Sequence, residues 1–301
     1  MSSTTPPAPA DLRLSLAVPV LFVLLWSSGF IAAKVGVRDA GPLTFLTLRF
    51  SLVAVLMFMV AIAMRAPWPR SGREIGHIAV TGALMQAGYF GGAWISMSMG
   101  VGAGVSALIV CMQPILTALV AGPLLGERVG PRQWLGLGFG FAGVALVVAK
   151  KLELGLGTPV AMGWSFFALL CITAGTLYQK RFCPHMDPRS GGVIQFVMGV
   201  VILAPLGLIF EEQIVNWSVD FVIALVYVAI FLSLISITLL TVMIRRGQAS
   251  RMTSLFFLVP PTAAGMAWIM LDESLTPVGI AGMVLAVIGV ALVMLPGRKR
   301  V

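Results

Sequence analysis

From residue 14 onward the chain returns repeatedly to apolar runs about as long as a lipid bilayer is thick. They lie at about residues 14–34, 42–64, 75–98, 102–121, 132–149, 159–180, 190–210, 219–244, 248–271 and 278–295. A helix needs about 20 mostly apolar residues to cross the hydrocarbon core, and backbone polar groups cannot stay unpaired in lipid. The spacing therefore predicts an all-α polytopic membrane protein with ten transmembrane helices. A transmembrane barrel would show short alternating segments instead. Of the 301 residues, 59% are hydrophobic and 10% charged, whereas a soluble domain carries about a quarter charged residues. These proportions exclude a soluble enzyme, a disordered chain and a disulfide scaffold. The three cysteines, Cys111, Cys171 and Cys183, are odd in number and imply no disulfide framework. The first run has Arg13 before it and Ala32-Ala33 at its end, but it is too long for a signal-peptide core and reads as helix 1.

The net charge of +9 would suggest nucleic acid in a soluble protein. Here its distribution gives an orientation. With the N-terminus on one side, that side collects Arg13, Arg65, Arg70, Arg73, Arg128, Arg132, Lys180, Arg181, Arg189, Arg245, Arg246, Arg251, Arg298, Lys299 and Arg300. The other side holds Lys34, Arg38, Lys150 and Lys151, a split of 15 to 4. Basic residues concentrate in cytoplasmic loops, so both termini are expected in the cytoplasm.

The chain also repeats itself at one fixed offset of 146 residues. Gly29 aligns with Gly175, Lys34 with Lys180, Pro42 with Pro188, Phe50 with Phe196, Met97 with Met243, Pro114 with Pro260, Glu127 with Glu273 and Pro131 with Pro277. Residues Gly143 to Val147 match Gly289 to Val293 without a difference. The expected organisation is a disordered tail at 1–12, a five-helix unit at 13–151, a second at 152–297 and a basic tail at 298–301. Because five is odd, the second unit enters the membrane from the opposite side. Inverted repeats of this kind are the architecture of secondary transporters, with a site near the midplane between the halves.

Trp26-Ser-Ser-Gly-Phe30, then Lys34, Gly36, Pro42, Arg49, the Gly126-Glu127 loop and its echo Asp272-Glu273 resemble the drug/metabolite transporter superfamily, and within it the EamA-type ten-helix inner-membrane exporters. The resemblance covers the chain after residue 12. It implies helices 1–4 and 6–9 around a central cavity, with helices 5 and 10 packed apart. It also implies export of amino acids, other metabolites or drugs.

Polar groups deep in apolar helices are costly and are the first candidates for a site. Arg49 is the only formal charge well inside a run, and two readings stand: it attracts a substrate carboxylate, or it snorkels or clamps a helix end. Its repeat counterpart is the neutral Gln195. Lys34 and Lys180 are expected at helix ends, where snorkelling and the helix dipole suffice. Gln86 and Tyr89 are three apart and share a helical face. Gln113 precedes Pro114, which frees a carbonyl one turn earlier; Pro260-Pro261 repeats the break, with free carbonyls beginning at Phe256. Trp26 falls near the midplane as a possible cavity wall, whereas Trp94, Trp134, Trp164 and Trp268 read as interfacial belt or packing. Trp26, Arg49, Gln86, Tyr89, Gln113 and Phe256 are the candidate substrate-binding residues, and Pro114, Pro260 and Pro261 the candidate helix breaks.

Gly138 to Gly143 fits a dinucleotide fingerprint, but no strand precedes it and no ribose-binding acid follows. Gly136, Gly140, Gly143, Gly282 and Gly289 instead form small-residue faces suited to helix packing, within one chain or in a homodimer through helices 5 and 10. No metal cluster, catalytic motif or P-loop is visible, so neither an enzyme nor a cofactor is expected. Every Asp and Glu falls in a loop or at a helix end, which favours facilitated diffusion or exchange over a carboxylate-driven pump. The expected function is export of small metabolites, amino acids or amphipathic analogues, across the inner membrane by alternating access. Broad-specificity drug efflux and proton-coupled antiport are the alternatives. The expected partners are a small-molecule substrate and the lipid bilayer, with no nucleic acid.

Overall fold

The structure is a computed structural model that describes residues 9–113, 115–117, 120, 131–153, 157–235 and 258–294. Within them the chain is helical, and the one β-like contact is an isolated bridge between Ala40 and Val215. Helix α1 spans Pro9–Asp39, so residues 9–12, expected as tail, are helical; proline suits a first turn because its missing N–H would be unpaired there anyway. Gly41 breaks the chain and Pro42 restarts it as α2, Pro42–Ala63. Helix α3 runs Gly72–Gly82, widens into a π-helical segment at Ala83–Phe90 and continues as Gly91–Ser98. Helix α4 spans Ala103–Val110 and α5 Pro131–Glu153.

The second unit follows the same plan. Helix α6 spans Pro159–Phe182 and α7 Pro188–Phe210. Helix α8 is Val219–Tyr227 followed by a π-helical segment at Val228–Ile235. Helices α9 and α10 span Val259–Leu271 and Pro277–Met294. The π segments of α3 and α8 fall within one residue of the 146-residue offset. Among the described residues three helices, α2, α6 and α7, are long and apolar enough to cross a membrane. The others, as far as they are described, do not establish the ten-span count.

Helix packing follows the repeat. The two most extensive pairings are α2 along α7 and α5 along α10, each joining equivalent helices of the two units. Helix α1 packs on α8 and α9, and correspondingly α6 packs on α3 and α4; α3 lies on α7 as α8 lies on α2; α4 meets α9. Each of these pairings survives exchange of the units, the signature of a pseudo-two-fold axis. One apolar core, with Phe45, Phe50, Met97 and Phe221, holds α1 to α4 and α6 to α9. A second, with Leu108, Met112, Val144, Val147, Ala286 and Val290, seats α5 and α10 on the flank of the bundle.

The small-residue faces make the α5–α10 contact. A Cβ at Gly143 would lie 2.5 Å from the Gly282 carbonyl oxygen, and one at Gly289 would lie 2.3 Å from the Gly140 nitrogen. Gly136 contributes its carbonyl to the same contact. These glycines are thus spent within the chain, so a homodimer through α5 and α10 would have to use their outward residues, such as Trp134, Leu135, Val284 and Ile288.

At one end of the bundle the units also clasp each other. The N-terminus of α2 has no cap of its own. Glu211, just past α7, accepts hydrogen bonds there from Leu43 N (2.8 Å), Thr44 N (2.8 Å) and Thr44 Oγ1 (2.6 Å). Asp39 accepts from Asn216 Nδ2 at 2.9 Å and from Ser218 Oγ. At the opposite end Asp187 caps α7 through Arg189 N, while Ser190 Oγ donates to the Pro67 carbonyl.

Candidate substrate site

Arg49 sits in the second turn of α2, on the face that meets α3 and α7, and is 2% exposed. It does not snorkel. Its guanidinium carbon lies 4.5 Å from the Phe90 ring centroid and 5.5 Å from those of Phe50 and Trp94. The rings brace one another: Phe50 and Phe90 meet at 5.7 Å, Phe90 and Trp94 at 5.5 Å, and Phe196 of α7 closes on Phe50 at 5.6 Å. Desolvated cation–π contacts contribute about 2 kcal/mol, yet ring faces leave hydrogen bonds unmade. Arg49 Nε and Nη1 are buried without a hydrogen-bond partner among the described residues, as are Trp94 Nε1 and Gln86 Oε1.

The backbone that carries these groups is unusual. Gln86, Tyr89 and Phe90 belong to the π segment of α3, a geometry that recurs at functional sites. Glycines let α3 approach its neighbours: a Cβ at Gly82 would lie 2.7 Å from the Gln195 backbone, and one at Gly88 2.6 Å from Cys171 Sγ. Gln86 and Tyr89 are both buried, and Gln86 borders Phe50 where both face Gly199 of α7. Gln195, the counterpart of Arg49, is also buried and approaches Gln179 Oε1 at 3.5 Å.

Apart from Thr117 Oγ1, which is also buried without a partner among the described residues, several other interior polar groups are matched. Gln113 donates through Nε2 to Thr176 Oγ1 at 2.9 Å, tying the end of α4 to α6. Ser27 Oγ donates to the Val259 carbonyl at 3.3 Å, and Ser28 and Tyr227 share a 2.6 Å contact. Ser96 and Ser165 meet at 2.6 Å, with Ser106 beside them. Unmatched buried groups cost about 1–3 kcal/mol each. Their concentration around Arg49 marks that cluster as a site where a ligand's polar groups would complete the bonding.

The structure thus brings together Arg49, Gln86 and Tyr89. Gln113 belongs to the separate α4–α6 contact, and Trp26 is partly buried against the core on α1. Pro260 and Pro261 do not interrupt a helix in the described residues: they occupy the first turn of α9, with Leu258 as N-cap. Pro260 lines a small apolar cavity with Leu108, Cys111 and Met112. Pro114 and Phe256 lie outside the described residues, but α4 ends at Val110, where Pro114 is expected to loosen it. Lys34 is a correction: α1 runs on to Asp39, and the ammonium reaches carbonyls of other elements. Phe50, Phe90 and Trp94 escaped the sequence reading. Phe90 and Trp94 follow Gln86 at successive intervals of four, the spacing of one helical face, and that was the available signal.

Two inverted helical units, exchanging partners about a pseudo-two-fold axis around unmatched polar groups, define a membrane transporter. The chain belongs to the EamA-like transporter family, whose model matches it twice, at residues 14–149 and 160–295. It is 26% identical to the uncharacterized transporter YvbV of Bacillus subtilis, covering 90% of this chain and 88% of that one. It is 23% identical to the "Probable amino-acid metabolite efflux pump" of Salmonella typhimurium, covering 93% and 95%. A "Probable terminal-alkyne amino-acid exporter" of Streptantibioticus cattleyicolor is 26% identical over 96% and 97%. A solved crystal structure shares the fold with a TM-score of 0.62, at 17% identity and with 92% and 94% covered.

Proposed function

We propose that this transporter exports small amphipathic metabolites, amino acids or their analogues, across the inner membrane by alternating access, with both termini in the cytoplasm. The observation that carries the substrate class is the Arg49 cluster. A buried guanidinium with two unmatched N–H groups suits a carboxylate, to which it can donate two charge-assisted bonds. The unmatched Gln86 Oε1 suits the ammonium of the same solute, and the rings of Phe50, Phe90, Trp94 and Tyr89 suit its apolar part. The names of two relatives point the same way. Among the described residues no Asp or Glu is buried, which supports movement down the solute gradient.

The test is expression in a bacterium challenged with a panel of amino acids and toxic analogues, followed by efflux of the tolerated compound from loaded cells. Raised tolerance with faster efflux is expected. Retention of label in expressing cells would overturn export, and flux that vanishes without an imposed pH gradient would overturn facilitated diffusion.

A further inference from the structure

The corner between α3 and α4, Met99 to Gly102, is held by two charged side chains from elsewhere in the molecule. Lys34 Nζ, from α1, donates to the Met97 carbonyl at 2.9 Å and to the Val101 carbonyl at 3.0 Å. Glu273, from the second unit, accepts a hydrogen bond through Oε1 from Ala103 N at 2.8 Å, the first free donor of α4. The local sequence shapes this meeting. Asp272 closes α9 in the left-handed region at φ 53° and turns Glu273 toward the corner. Gly102 lacks a side-chain cap of its own, and a Cβ there would fall 2.4 Å from Glu273 Oε2.

What the corner carries makes these bonds more than end caps. Behind it, α3 widens into its π segment at Ala83–Phe90, and α4 gives out at Val110. Irregular turns are where helices bend. The hairpin between them, Gly91–Ser98 with Ala103–Val110, therefore has a weak point in each arm and a tip pinned by side chains. Both pins are long, flexible and charged, so they can move into water without breaking any helix.

We propose that Lys34 and Glu273 are two halves of a latch that holds this end of the transport path shut, and that both must let go of the α3–α4 corner for the path to open there. The inference rests on the transporter reading but names residues that reading does not use.

The native Cys111, at the end of α4, reports on opening. In a Cys171→Ala, Cys183→Ala background, a membrane-impermeant maleimide is applied to the full-length protein in vesicles of each orientation. Glu273→Gln, whose neutral amide accepts only about half as strongly as the carboxylate, and Lys34→Met, which removes the donors, should each raise labelling of Cys111 from the Lys34 side about tenfold. Lys34→Arg, which keeps the charge and donors, should label at the parent rate. Parent-rate labelling in both Glu273→Gln and Lys34→Met would overturn the latch, as would an increase that is equal from both sides. If Lys34→Met fails to accumulate, the isosteric Glu273→Gln decides alone. The readout needs no substrate, so faster labelling beside a blank export screen would remove the substrate class and leave the latch standing.

Discussion

At the scale of single residues, Arg49 concentrates the tension between folding and transport. The rings around it return about 2 kcal/mol, while its desolvation costs several and its unmatched donors add to that. Arg49→Leu should therefore leave the melting temperature in detergent unchanged or raised while lowering efflux about tenfold or more, the cost of a lost charge-assisted bond. Arg49→Lys keeps the charge but not the planar fork, and intermediate efflux is expected. A variant that unfolds while its remaining folded fraction transports normally would assign Arg49 to structure alone. Asp187 gives a second prediction, outside the apolar spans. Its hydrogen bond with the Arg189 side chain holds its carboxyl below the usual carboxylate value. A lowered folded value means that its stabilisation is present above the unfolded value, about 3.9, and fades as pH falls through the folded one. Melting of the parent and of Asp187→Asn should thus differ at neutral pH and begin to converge only as pH falls below about 4.

At the scale of helices, the contact between α5 and α10 is the least forgiving. Gly289→Val would drive a side chain into the α5 backbone, and neither helix can retreat without opening the second core. Little folded protein is expected by size-exclusion of detergent extracts. Gly138→Ala, on the same helix as Gly140 but facing open space, should be extracted at parent levels. Equal yields would show that the close approach is dispensable. This contact was legible in sequence, because a small-residue face is a local pattern and its echo at residues 282–289 names the partner. The aromatic surroundings of Arg49 were less so. A buried cation shows itself by contrast with its run, but the rings that cover it come from two helices, and a π segment changes which residues of α3 share a side. Lys34 misled for a related reason. The apolar run ends at residue 34 but the helix does not, and no local rule says that the ammonium turns toward another corner.

At the scale of the whole molecule, the sequence offset anticipated more than a duplication. The same offset relates the helix pairings, the π segments and even the clasps. The start of α2 is bound by a residue past α7, and the start of α7 binds a residue past α2. Orientation belongs to this scale too: green fluorescent protein fused to the C-terminus should fluoresce, and alkaline phosphatase fused there should be inactive. The reverse pattern would place the termini outside and overturn the proposed orientation.

The matched π segments carry one more consequence. A widened turn is what a helix keeps after gaining a residue, and it is seldom acquired twice at one spot. Its presence in α3 and α8 within one residue of the repeat offset is most simply a single event, inherited by both halves from a common ancestor. On that account the insertion is older than the fold's two-fold plan, and the buried arginine, present in one half alone, records divergence that came after the copying.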